Sequence, residues 1–235
     1  MKATQSNKGK RIGTRMRGNL QRAYEARGSA LAGLYHSYSL KNESDFVVVG
    51  DLLFLNFLYC ESDPDALSIN YSPKTDLVAA EILRPRGVLE LRRIRRADRA
   101  DSASIMASCE ELVREYQAQI EGGGTAFASV RLSTVTEQDL IPGNEVRLQN
   151  WHRILPWYAY TRFHTLDDSS RLIHAAMETH GCMDARHILS IAETTTAQAL
   201  LMAATIKATA KGEFESDLSQ KPYSLNTRFH IRGHA

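Results

Sequence analysis

Lys74 to Arg96 reads KTDLVAAEILRPRGVLELRRIRR, and the fold turns on how this stretch pairs with itself. Two β-prone runs, TDLVAAEIL and GVLELRRI, flank RPRG, where proline and glycine favour a reversal of the chain, so the stretch predicts a hairpin. Side chains alternate between the two faces of a strand, which puts Arg92 on the same side as Glu90. With TDLV beside LELRR, the carboxylates of Asp76 and Glu90 converge at one edge. Two acids suit magnesium or manganese, hard cations that take oxygen ligands. A positive charge at Arg92 steadies a phosphate beside them, the arrangement of metal-dependent phosphodiester hydrolysis. A competing reading needs no metal: Asp76 ends a turn, and Glu90 pairs across the hairpin with an arginine for ~0.2–1 kcal/mol.

Outward from the hairpin, the apolar FVVVGDLLFLNFLYC predicts a buried strand followed by a helix over Asp51 to Cys60, and LSINYS predicts a strand. On the other side, Ser102 to Ile120 has helical spacing, with Ile105, Leu112, Val113, Tyr116 and Ile120 on one face. EGGG ends that helix; with no Lys-Ser or Lys-Thr pair after it, it is a turn and not a nucleotide-binding loop. AFASVRLSTV resumes the strand pattern, TEQDLIPG is a short capped turn, and QNWHRILPWYAYTR is an aromatic helix interrupted at Pro156. Beyond Asp167 come SSRLIHAAMETHG, MDARHILSIAE and TTAQALLMAATIKATAKGEF, then SLNTRFHI: three helices and a closing β-ribbon, a winged-helix-like pattern. The expected organisation is a basic arm over residues 1–30, an α/β domain with a mixed sheet over 31–149, and a smaller α-rich domain over 150–235.

With 235 residues and 43% hydrophobic content, the chain is long enough for one substantial core or a main domain with a satellite. No stretch approaches eighteen uninterrupted apolar residues and the N-terminus is polar and basic, so a soluble, cytoplasmic protein without membrane contact is expected. Cys60, Cys109 and Cys182 lack zinc-site or disulfide spacing and read as buried thiols. The net charge of +2 conceals two basic clusters: the first 24 residues carry seven Lys or Arg and no acid, and Arg84 to Arg99 carries seven arginines. Both are candidates for duplex DNA phosphates, through Lys10, Arg11 and Arg15 in the arm and Arg93, Arg95 and Arg96 in the hairpin. His174, His180 and His187, six and seven residues apart, do not form the helical pair of a zinc site. Trp151, Trp157, Tyr158 and Tyr160 read as packing residues at helical spacing.

Several short motifs follow one another in the order found in TnsA-type endonucleases, the PD-(D/E)xK nuclease subunits of heteromeric cut-and-paste transposases. FLYCESDPDALSI resembles the family's helix end and "FDPDV" turn, KTDLV its "PDF(L/V)" strand, and VLELRRI its E/Q-x-K strand. STVTEQDLI is similar to "(V)TE-x-(D/E)-I", NWHRILPWYAY to "N-L-x-x-L-x-x-Y", and ALLMAATIKATAKGEFESDLSQKPYSLNTRF to the terminal wing region. The collinear set spans about Asp51 to Phe229. The resemblance implies a restriction-endonuclease-like fold, with Asp76 and Glu90 as magnesium or manganese ligands and Arg92 in place of the catalytic lysine. It implies a first-helix acid too; the family's "L-E-R-(D/N)-F" is missing, which leaves Asp51 or Glu43. Thr75 stands where the family has proline before the aspartate. The implied activity is nicking of one strand at transposon ends, with a DDE-type transposase and an AAA+ ATPase regulator as partners. Because arginine holds phosphate but does not shuttle protons, the other reading is a catalytically impaired DNA-binding and assembly subunit of the same machine.

Overall fold

The computed structural model describes residues 33–124 and 126–233, so Lys10, Arg11 and Arg15 lie outside the described residues. The chain opens with an antiparallel hairpin of β1 (Leu34–Ser39) and β2 (Ser44–Val49). Of these, β1 lies in a stretch the sequence pattern did not mark. Gly50, at a φ of 99°, turns the chain from β2 into helix α1 (Asp51–Ser62), a backbone conformation that a side chain resists. The expected helix from Asp51 is therefore present and runs two residues further.

A four-stranded mixed sheet follows, in the order β3 (Ser68–Asn70), β4 (Ala80–Arg84), β5 (Val88–Ile94), β6 (Ser129–Val135). The hairpin forms as RPRG predicts, with Pro85–Gly87 a single 3-10 turn closed by Arg86 at φ 61° and Gly87 at φ 73°. Its first strand is shorter than TDLVAAEIL, beginning only at Ala80. Parallel pairing of β5 with β6 requires a crossover, supplied by helix α2 (Ala103–Glu121), whose N-terminus is capped by the Ser102 hydroxyl accepting from the Ile105 amide. Alternation then sorts the sheet faces. Leu89 and Leu91 pack with Val78 under Leu112, Val113 and Tyr116 of α2, while Ala80 and Ile82 pack with Cys60 of α1 on the opposite face. The result is an α/β arrangement with a helix on each side of a mixed sheet.

A short helix α3 (Glu137–Leu140) opens with a capping box between Thr136 and Asp139, as TEQDLIPG predicts. Helix α4 (Glu145–Tyr158) carries Pro156 in its last turn without ending there and tightens into a 3-10 turn over Ala159–Phe163. Then come α5 (Asp167–His180), β7 (Cys182–Asp184), α6 (Ala185–Ser190), α7 (Thr195–Ala210), β8 (Phe214–Ser216) and β9 (Arg228–Ile231), with a small antiparallel sheet ordered β7-β9-β8.

The expected boundary at 149/150 falls inside α4. Trp151, Ile154, Leu155 and Tyr158 join Tyr38, Leu40, Phe54 and Phe57 from the N-terminal half and Ile173, Met177, Leu201 and Phe229 from the C-terminal half in one core. Asn150, 1% exposed, makes the same link with hydrogen bonds: its amide donates to the carbonyls of Leu218 (2.7 Å) and Lys221 (2.8 Å), and its oxygen accepts from the Tyr223 amide (2.8 Å). Among the described residues, no helix is long and apolar enough to cross a membrane.

Candidate nucleic-acid interface

Glu90 sits in the middle of β5 with Ile82 opposite on β4 and Arg131 opposite on β6. Arg84, Glu90, Arg92, Arg131 and Ser133 all fall on the sheet face covered by α1, because each differs from its neighbours in the ladder by an even step. The Glu90 carboxylate is 1% exposed and fully engaged. Its Oε1 accepts from Arg92 Nε (2.6 Å) and the Ser133 hydroxyl (2.7 Å); its Oε2 accepts from Arg84 Nε (2.8 Å) and Arg131 Nη2 (2.9 Å). Burial pushes such a carboxyl up, but the Arg92 charge, hydrogen bonds from Ser133 and Arg131, and the charge of Arg84 hold it down to about 2.

The network continues. Arg84 also binds Asp63, which follows α1; burial raises the Asp63 carboxyl, yet the bond and charge from Arg84 leave it below its ordinary value. Arg92 reaches Cys60 Sγ (3.3 Å) and Asn56 Oδ1 (3.4 Å) on α1, and burial pushes the Cys60 thiol up to about 12 against the Arg92 charge. Three guanidiniums thus face two carboxylates, a surplus of one positive charge.

A carboxylate offers about four lone-pair positions, and all four at Glu90 are taken by N–H or O–H donors. A magnesium or manganese ion would have to displace at least one of these donors and then sit against the guanidiniums. The residues present do not fit the metal. Among the described residues, no three His, Cys, Asp or Glu side chains are grouped to hold one.

The other site residues are not brought to Glu90. Asp76 lies in the turn before β4, six residues ahead of the Glu90 partner Ile82, and is exposed. The turn holds Asp76 ahead of the strand, and Glu90 pairs across the hairpin with Arg84. Asp51 begins α1 but accepts from the Tyr35 hydroxyl at 2.5 Å, tying β1 to the helix and raising the Tyr35 hydroxyl. Glu43, the other first-helix candidate, pairs with Lys207 at 2.5 Å. Arg92 does join Glu90, as its spacing implies.

Asp76 instead rims a groove of about 720 Å³ together with Arg93, Arg95, Arg96 and Arg99. Arg93 is occupied there: its guanidinium holds Asp101 (2.7 Å) and the Leu77 carbonyl (2.9 Å), bracing the turn that carries Asp76. Arg95 donates to the Arg99 carbonyl and leaves a third of its side chain exposed, and Arg96 is exposed beside Asp98 (3.2 Å). The cationic rim open to solvent is therefore Arg95, Arg96 and Arg99 without Arg93.

Arg84, Arg131 and Ser133 were not singled out from sequence. A signal for two of them is present in SVRLSTV, where Val130 and Leu132 claim the α2 face and so turn Arg131 and Ser133 toward Glu90. No family model, curated protein or solved structure matches this chain.

Proposed function

We propose that this chain is a DNA-binding and assembly subunit that grips phosphate through arginines and carries no metal centre of its own. The observation that supports it is the closed shell at Glu90: four donors from Arg84, Arg92, Arg131 and Ser133 fill the carboxylate that a nuclease of the resembled kind would give to magnesium. The surplus charge of that cluster and the rim of Arg95, Arg96 and Arg99 suit a polyanion. On this proposal the mixed sheet is a restriction-endonuclease-like core that retains DNA contact. The helices and three-stranded sheet after Asp167 are a winged-helix-like module serving assembly and not groove reading. Its third helix, α7, supports that division: it is apolar nearly all round, nine of the ten residues from Leu201 to Ala210 are buried, and the tenth, its one cation Lys207, is paired with Glu43. The TnsA resemblance supplies the partners of the proposal, a DDE-type transposase that performs strand cleavage and an AAA+ ATPase regulator.

Gel-shift titration of duplex DNA in EDTA and again in magnesium, with nicking followed in the same samples after adding a partner transposase, tests the proposal. Equal affinity in both buffers and no nick attributable to this chain are expected. Magnesium- or manganese-dependent nicking lost in both Asp76→Ala and Glu90→Ala would restore the metal-dependent endonuclease.

A further inference from the structure

A second feature lies away from the arginine cage, where the 3-10 turn after α4 meets the β1–β2 hairpin. A cavity of about 360 Å³ opens there, walled by Leu155, Pro156 and Ala159 and rimmed by two aromatic side chains. Tyr160 is 81% exposed and Phe163 68% exposed. In a 3-10 turn residues three apart eclipse one another, so the turn sets both rings on the same side of the chain. Adjacent exposed large rings are unusual on a surface that meets only water.

Arg162 also lines this cavity. Its Nη1 holds Asp45 at 2.7 Å and its face lies over the Phe163 ring at 4.9 Å, but its Nε is buried without any acceptor. Among the described residues, it is the one buried side-chain nitrogen or oxygen left in that state. A buried donor of this kind costs on the order of a hydrogen bond until an acceptor arrives. Asp45 and His36 stand beside it, their side chains 3.8 Å apart, so the cavity lacks the surplus of positive charge that a run of phosphates needs. Tyr160 also borders a second cleft, about 270 Å³, formed with His164 and with Thr195, Thr196 and Leu200 at the start of α7. Two neighbouring clefts divided by an exposed tyrosine fit an extended chain better than a compact small molecule.

We infer that this surface docks an extended peptide segment of a partner protein, in which an aromatic or long aliphatic side chain enters the cavity between Tyr160 and Phe163 and an adjacent carboxylate accepts from Arg162. The near-neutral charge favours a protein segment over nucleic acid, and Arg162 Nη2, which makes no hydrogen bond among the described residues, suits an acidic residue beside the apolar one. This inference stands apart from the DNA-binding proposal, since none of these residues belongs to the arginine cage or the basic rim.

The probe is a displayed library of random dodecapeptides selected on the full chain, followed by fluorescence anisotropy with the enriched peptides. Enrichment of an apolar residue next to Asp or Glu is expected, with at least tenfold weaker binding to Tyr160→Ser and to Phe163→Ser. Both substitutions replace exposed side chains, so folding survives; circular dichroism checks it. Arg162→Leu should remove the preference for the acidic residue while leaving apolar selection, which separates the guanidinium from the rings. Absence of an enriched motif, or unchanged binding in both ring variants, overturns the inference. A single-stranded oligonucleotide bound tightly by the wild type and lost in Tyr160→Ser overturns it in favour of base stacking. Concentration-dependent dimerisation lost in Phe163→Ser overturns it in favour of a second copy of this chain.

Discussion

Arg131 and Glu90 face each other across the parallel ladder of β5 and β6, and the guanidinium closes on the carboxylate at 2.9 Å although 58% of the arginine side chain remains in solvent. One partner is buried and the other is largely wet, so their removal has unequal consequences. Glu90→Gln leaves Arg84 and Arg92 beside each other with one neutral acceptor and should destabilise the fold by ~3–5 kcal/mol. Arg131→Ala, at a screened and exposed end, should cost under about 1 kcal/mol. Urea unfolding of both variants measures the difference, and equal costs would mean that Glu90 is not the hub of the cage.

Acid should attack this hub late. The Glu90 carboxyl is held below its ordinary 4.5 at about 2, so the folded form keeps the carboxylate ionised through a window in which the unfolded chain already binds a proton. Its contribution is complete above about pH 5 and is lost as pH falls from 4.5 toward 2, amounting to about 3 kcal/mol by linkage. Stability measured from pH 6 down to pH 2 should fall in wild type with a steeper slope than in Glu90→Gln.

Magnesium should leave the melting temperature unchanged. A site with a dissociation constant of ~10 μM would gain about 2.7 kcal/mol at 1 mM metal, a readily seen shift of several degrees. Thermal melts in EDTA, magnesium and manganese should superimpose, and a metal-dependent rise abolished by Asp76→Ala would contradict the closed shell at Glu90.

The basic groove predicts a division of labour among its arginines. Charge reversal at Arg95, Arg96 and Arg99 should weaken duplex binding and flatten the dependence of affinity on salt, since fewer counterions are displaced. Arg93→Ala should lower stability instead, because its guanidinium braces Asp101 and the Leu77 carbonyl. Gel shifts at several salt concentrations, paired with melting curves, separate the two effects.

Asn150 ties α4 to the segment from Leu218 to Tyr223 with three hydrogen bonds, two given and one received. Asn150→Ala strands the buried Leu218 carbonyl together with the partly buried Lys221 carbonyl and Tyr223 amide and should cost about 2–3 kcal/mol. Because one core spans both halves, residues 165–235 expressed alone should expose the apolar face that meets Trp151 and Tyr158 and fail to give a sharp thermal transition. A cooperative melt of that fragment would show that its own core suffices.

Much of the fold was legible because local signals agreed with tertiary demand. Gly50 separates FVVV from the helix that starts at Asp51, Ser102 caps α2, and the Thr136–Asp139 box opens α3. β1 was hidden because LYHSYS pairs with β2 only and is covered by α1, through Tyr35 on Phe54 and Ser39 on Glu61, and by α4, more than a hundred residues away. The site was legible only in half. Adjacency on one strand places Glu90 with Arg92, but Arg131 and Ser133 arrive through a parallel register that no local pattern specifies, and Asp76 sits in a β-prone run that becomes strand only from Ala80. A pattern of acid and base along the chain cannot tell a ligand set from a salt bridge, because the deciding donors come from another strand.

The shared occupancy of Glu90 also limits how this site can change. Arg92→Lys, which would give the E-x-K of the resembled nucleases, opens at most one position on Oε1, since Arg84 and Arg131 continue to hold Oε2 and Ser133 still donates to Oε1. Loss of Arg131 alone still leaves Arg84 and Arg92 in place. Removing Arg84 or Arg92, the two enclosed arginines, strands the Glu90 charge and loses stability before any metal can bind. On the proposed reading, opening the Glu90 carboxylate to a metal takes several substitutions, and those that remove an enclosed arginine cost stability first.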